Sequence, residues 1–172
     1  MENIWITIFS SAGVASVISA IASFVNNRLA HNREYKDDYY KMVIAKRMDA
    51  YSKVEVVILS LKKLVRDESD NCLYNIIFNN SHEEFFAFQA QLYEIAANSV
   101  WLSKDMYNAL SELNLLFTQI DSQVLDDGSN LLILGKQNRK KIADIRIRIE
   151  DIFRKDILSL HEIEDFLKDK NK

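Results

Sequence analysis

Three histidines, one cysteine and scattered carboxylates are the residues with which this chain could do chemistry. A metal site would need several of them at ligand spacing, as when two histidines four residues apart share a helix face. His82-Glu83-Glu84 and His161-Glu162 supply only the first half of such a zinc helix, without the second histidine. A nucleophilic enzyme would need an activated Ser or Cys, yet no Gly-x-Ser-x-Gly elbow is present and Cys72 stands alone. A phosphate loop is suggested by Gly128 and Gly135, but six residues separate them where four are required, and Gln137 replaces the magnesium-binding hydroxyl. The calcium-loop start at residues 67–71 fails similarly, with Cys72 at the turn glycine and Phe78 at the bidentate glutamate. No metal, no cofactor and no enzyme activity are therefore expected.

One spacing offers a different chemistry. Arg154 and His161 are separated by six residues, which on a continuous helix puts both on one face two turns apart. The pair resembles the arginine-spacer-histidine signature of HEPN ribonucleases, helical proteins of bacterial toxin and antiviral systems. That resemblance implies RNA as substrate and Arg154 and His161 as a catalytic pair at a dimer interface. The plainer reading of the same residues is a surface arginine and histidine on the last helix.

Lys136, Arg139, Lys140, Lys141, Arg146 and Arg148 form the densest positive region. Such a patch could meet anionic lipid headgroups, where each Lys or Arg contributes about 1 kcal/mol, or RNA. Asp144, Glu150 and Asp151 intersperse it and no aromatic residue accompanies it to stack on bases. The net charge of −3 adds no field toward nucleic acid. A solvated helix face is the expectation, and nucleic acid is not an expected partner.

The elements that would carry these residues follow from composition. The 172 residues include no proline and three glycines, where average usage gives roughly eight or nine and about twelve. Turns and strands need those residues more than long helices do, so the chain is expected to be all-α. The single cysteine fits a reducing compartment.

Residues 4–25 are twenty-two in a row without a charge. As a helix they rise roughly 33 Å, enough to cross a ~30 Å hydrocarbon core. Arg28, Arg33, Lys36, Lys41, Lys46 and Arg47 follow the run and no Lys or Arg precedes it. The positive-inside rule then puts the N-terminus outside and the remaining chain in the cytoplasm, in an inner or plasma membrane. A cleaved signal peptide and a buried soluble helix are the rivals, the first because Ala20-Ile21-Ala22 could serve as a cleavage site. Within the run, Ser11, Ala12, Ala15, Ser16, Ser19, Ala20 and Ser23 form a face of small residues. Small residues at four-residue spacing let two helices approach closely, so self-association in the membrane is expected.

Beyond a helical stalk at residues 28–39, apolar residues recur at spacings of three and four. Tyr40, Val43, Arg47, Ala50, Val54, Val57, Leu61 and Leu64, widened by Ile44, Tyr51, Ile58 and Val65, predict a first bundle helix. Arg47 interrupts its stripe and should pair with a carboxylate or snorkel outward. Residues 67–71 read as a loop and 73–78 as a short apolar piece covering the bundle end. Ser81 and Glu84 form a capping box for a second helix facing inward with Phe85, Phe88, Leu92, Ile95 and Leu102, widened by Phe86, Tyr93 and Val100. A third, starting at Ser103 or Asp105, carries Met106, Leu110, Leu113, Phe117, Ile120 and Val124, and joins the second as an antiparallel hairpin or a kinked rod. Residues 126–130 are a turn and Gly135 a second breaker, after which Lys136 opens a fourth helix with Ile142, Ile145, Ile149, Ile152, Phe153, Leu160, Ile163 and Leu167.

The expected architecture is thus a transmembrane anchor at residues 1–27, a stalk at 28–39 and, at 40–172, a cytoplasmic antiparallel four-helix bundle with coiled-coil-like spacing. Membrane lipid, a second copy of the chain and a further protein are the expected partners. The expected role is protein interaction and self-association, by analogy with small anchored helical proteins of bacteria that act in phage exclusion or antiviral defence. A membrane-permeabilising toxin assembled through the small-residue face is the alternative, and a HEPN-like ribonuclease the third reading.

Overall fold

The computed structural model describes residues 2–79, 82–127, 130–163 and 165–166. Side chains are described throughout these except at residues 2–18, 20–22, 29, 30, 32, 33, 126 and 127. The chain divides into two compact units, Met1–Met42 and Val43–Lys172. The fold is mostly helical, with α1 at Glu2–Lys62, α2 at His82–Ala97, α3 at Lys104–Asp127 and α4 at Leu131–Leu158. Among the described residues no helix is long and apolar enough to cross a membrane. Most side chains of the 4–25 run lie outside the described residues, so the anchor remains a reading of the sequence.

In the second unit, α1 buries the expected stripe: Val43, Arg47, Ala50, Val54, Val57 and Leu61 are all within 3 % of full burial. The stripe stops there. Leu64 and Val65, expected on the same helix, instead lie in β1 (Leu64–Arg66), which pairs antiparallel with β2 (Leu73–Asn75). The helix can end because buried Asn75 reaches back, its Nδ2 donating to the Leu61 carbonyl at 2.8 Å, one of the orphan acceptors of a helix C-terminus. The connecting loop closes on itself through the Asp67 amide to the Cys72 carbonyl (2.9 Å) and the Ser69 amide to Asp67 Oδ1 (2.8 Å). Asn71 takes a φ of 61°, a left-handed conformation that asparagine tolerates. A 3-10 turn at Ile76–Phe78 follows, capped by Asn75 Oδ1 accepting from the Ile77 amide at 3.0 Å. The hairpin therefore adds a two-stranded sheet to an otherwise helical fold.

Ser81 of the expected capping box lies outside the described residues; Glu83 and Glu84 in the first turn of α2 complement its dipole. Phe85, Phe88, Leu92 and Ile95 are buried, whereas Phe86, Tyr93 and Val100, expected to widen that face, are exposed. Leu102 is fully buried but beyond the end of α2. A 3-10 turn at Ser99–Trp101 leads into α3, whose N-cap is Ser103, with Oγ accepting from the Met106 amide at 3.1 Å. All six stripe residues of α3 are buried.

The fourth helix starts earlier than expected. Asn130 caps it, its side chain accepting from the amides of Leu132 (2.9 Å) and Ile133 (3.4 Å), and Gly135 lies inside α4 as a buried residue. Gly135 is no breaker: a Cβ there would sit 2.6 Å from Phe78 Cβ and 2.9 Å from Cδ1. Its role is to let the 3-10 turn dock on the helix backbone. Phe78 in turn meets Phe85 and Phe117 at ring distances of 5.7 and 5.6 Å, and Phe88 lies 5.0 Å from Phe117. This aromatic group is the centre of the core, each such pair adding about 0.5–1.5 kcal/mol beyond burial.

The helices run antiparallel to their neighbours in sequence. Lys53 meets Glu94 at 2.8 Å between α1 and α2, Phe85 stacks on Phe117 between α2 and α3, and Glu112 pairs with Arg148 between α3 and α4. Tyr51 and Phe153, with rings 6.0 Å apart, bring α4 back beside α1. Helices α2 and α3 are therefore a hairpin and not one kinked rod.

Candidate functional site

Two charges interrupt the apolar stripes, Arg47 on α1 and Asp156 on α4, and the fold brings both to one end of the bundle. They are 3 % and 7 % exposed. Asp156 Oδ2 accepts from the Tyr51 hydroxyl at 2.6 Å and from Ser103 Oγ at 2.6 Å. The Ser103 amide donates to the Tyr51 hydroxyl at 3.2 Å, which closes a triangle across α1, α4 and the start of α3. Burial, followed by the hydrogen bond to Asp156, pushes the Tyr51 phenol up to about 12.

Beside the triangle, Arg47 donates from its guanidinium to the Leu160 carbonyl at 3.2 Å and sits 4.1 Å over the Phe166 ring. Such a stacked cation contributes roughly 0.5–2 kcal/mol. Its Nε has no hydrogen-bond partner among the described residues. Arg47, Ser103, Asp156, Ser159, Glu162 and Phe166 line a pocket of about 170 Å³ here.

The polar groups of the triangle are committed to one another. Ser103 Oγ donates to Asp156 while accepting from the Met106 amide, so its hydroxyl is committed as a helix cap. The carboxylate takes two hydroxyl donors on one oxygen, and a phenol pushed to about 12 stays protonated at neutral pH. No histidine takes part in these bonds. The arrangement joins α1, α4 and the start of α3 through hydrogen bonds.

The residues singled out in the sequence lie elsewhere. Helix α4 ends at Leu158, where the Ser159 amide bonds back to Lys155 and Asp156 carbonyls at 3.3 and 3.2 Å. His161 thus sits in the following turn, exposed, and the shared helical face assumed for Arg154 and His161 does not form. Arg154 is exposed and faces Asp151 at 3.6 Å and Glu150 at 3.8 Å. Leu160 and Ile163, expected on the same helix, likewise lie past its end.

The basic patch is partly neutralised. Lys136 bridges Asp67 and Asp70 of the hairpin loop, the second at 2.7 Å. The bond from Lys136 holds the Asp67 carboxyl down at about 2 and raises the lysine. Arg146 pairs with Glu150 at 2.8 Å and Arg148 with Glu112. Arg139, Lys140 and Lys141 are exposed. Of the small-residue face, Ser19 and Ser23 are exposed; Ser11, Ala12, Ala15, Ser16 and Ala20 have side chains outside the described residues. Among the described residues no group of three or more His, Cys, Asp or Glu could hold a metal, and Cys72 is exposed.

Sequence reasoning flagged Arg47 but missed Tyr51, Ser103 and Asp156 as a unit. The signal was present in one case: Asp156 falls between Ile152 and Leu160 at helical spacing, a charge on an apolar stripe just as Arg47 is. No protein-family model, no curated protein and no solved structure matches this chain.

Proposed function

We propose that this chain is a single-pass membrane-anchored helical domain that acts by protein interaction and self-association, in a process such as phage exclusion, and not by catalysis. The observation that carries the reading is the uncharged run at residues 4–25 within α1, the helix whose later residues, from Val43 on, enter the bundle. Such a run is long enough to span a bilayer, and the basic residues after it favour a cytoplasmic domain. The locked triangle at Asp156 supports a rigid scaffold in place of a reaction centre.

Alkaline extraction of membranes is the test. The intact chain should stay in the pellet, and a variant lacking residues 1–27 should be released. Recovery of the intact full-length chain in the soluble fraction would refute the anchor. Cross-linking in the native membrane should then capture a second copy. The small-residue face supports one further reading, a span that assembles and leaks ions. Rapid depolarisation on overexpression, lost without residues 1–27, is its expected signature.

A further inference from the structure

A second cavity, of about 190 Å³, opens between the end of α1, the hairpin and the middle of α4. Its floor is apolar, from buried Leu61 and Ile142 with Ala143, with half-exposed Leu64 at the edge and satisfied Asn75 as a wall. Its rim is cationic, from Lys62, Arg139 and Arg146. Arg139, Ile142, Ala143 and Arg146 are spaced i, i+3, i+4 and i+7, so the two guanidinium-bearing residues flank the apolar pair on one face of α4. Lys62 and Arg146 share one carboxylate, Glu150, at 3.3 and 2.8 Å. Arg139 has no ion partner among the described residues. Three cations thus line an apolar hollow that no anion lines, and of the three Arg139 is the one whose charge is left unpaired among the described residues.

We infer that this cavity binds a short-chain aliphatic monocarboxylate, with its tail on Ile142 and Ala143 and its carboxylate on Arg139 at the rim. The planar guanidinium fork matches a carboxylate in two parallel hydrogen bonds, a geometry that a lysine does not offer. Size sets the tail. The volume lies below the roughly 300–1,000 Å³ that encloses a drug-sized ligand, and at about 30 Å³ per water-sized group it admits some six groups. A chain of about six carbons fits, and acetate leaves the floor unfilled. All eight lining residues belong to the unit Val43–Lys172, so the inference stands apart from the anchor reading.

The test is ligand-observed saturation-transfer NMR with the full chain, in phosphatidylcholine nanodiscs if it is recovered with membranes and in buffer if it is recovered without them, with the matching protein-free sample as the blank. Hexanoate is the probe, compared with acetate, hexanamide and decanoate. Saturable hexanoate binding is expected, at least a hundredfold tighter than acetate because four methylenes are lost, and about tenfold tighter than neutral hexanamide. Arg139→Gln, at an exposed side chain without an ion partner, should keep the fold and weaken hexanoate about tenfold. Ala143→Met should fill the cavity and abolish binding. The inference is overturned if acetate binds as well as hexanoate, which would mark a bare anion site. It is equally overturned if decanoate gains steadily over hexanoate, as for surface partitioning, or if Arg139→Gln leaves hexanoate affinity unchanged.

Discussion

Replacing Tyr51 by phenylalanine tests the buried triangle more sharply than any other change. The ring stays in place against Phe153, so packing is kept and only the hydroxyl is lost. That hydroxyl donates to Asp156 at 2.6 Å and accepts from the Ser103 amide at 3.2 Å. A hydrogen bond to a charged acceptor contributes about 1.5–3 kcal/mol, while Ser103 Oγ still serves the carboxylate. At roughly 2–4 °C per kcal/mol for a chain of this size, the melting temperature should fall by about 3–12 °C. The alkaline limb gives an independent number. The phenol moves from an ordinary value of 10.0 in the unfolded chain to about 12 in the fold, so the native state holds the proton more tightly. Its contribution is complete below pH 10 and is lost as pH rises through 12, on the order of 2–3 kcal/mol in all. Thermal unfolding of the full chain by circular dichroism, from pH 8 to pH 12, should show this loss in the wild type and not in Tyr51→Phe. Lysines titrate in the same range in both proteins, so the difference between the two curves isolates Tyr51. Equal alkaline losses would refute the argument that the hydroxyl is held by the buried carboxylate.

Three further outcomes are expected. Gly135→Ala should destabilise the chain by about 1–3 kcal/mol despite alanine's better helix propensity, because its Cβ meets Phe78, and Phe78→Leu should relieve part of that cost in a double-mutant cycle. The Lys136 bridge stabilises the hairpin fully above the ordinary carboxylate range near pH 4 and loses that effect as pH falls through about 2, since Asp67 is held low in the fold. Hydrogen exchange of the Asn71 and Cys72 amides should therefore accelerate below pH 4 in the wild type, relative to intrinsic rates, and be fast throughout in Lys136→Met. Arg47→Met, which removes the bond to the Leu160 carbonyl and the stack on Phe166, should cost about 1–3 kcal/mol and expose the Phe166 bond to chymotrypsin.

How much was legible follows from the range of each interaction. Helical periodicity on α3 places Met106, Leu110, Leu113, Phe117, Ile120 and Val124 in the core because a long stripe has one solution. The ends of elements are another matter. Leu64 and Val65 continue the α1 stripe in sequence yet form a strand, since Asn75, fourteen residues beyond Leu61, takes the carbonyl that another helical turn would have used. Gly135 looks like a breaker to a local rule, and its meaning lies in Phe78, which only folding brings there. The Arg154 and His161 pair was placed on one helical face, and the helix ends at Leu158, before His161.

The sequence by itself determined the helical class, the central stripe of each helix and the uncharged run at residues 4–25. These are properties of spacing and composition, which act over a few residues. Only the tertiary structure decided the hairpin, the joining of Tyr51, Ser103 and Asp156, and the capture of Lys136 by Asp67 and Asp70. Each links residues from about fifty to more than a hundred positions apart or rests on a helix end, and hydrophobic periodicity carries no information about which polar partner will arrive there.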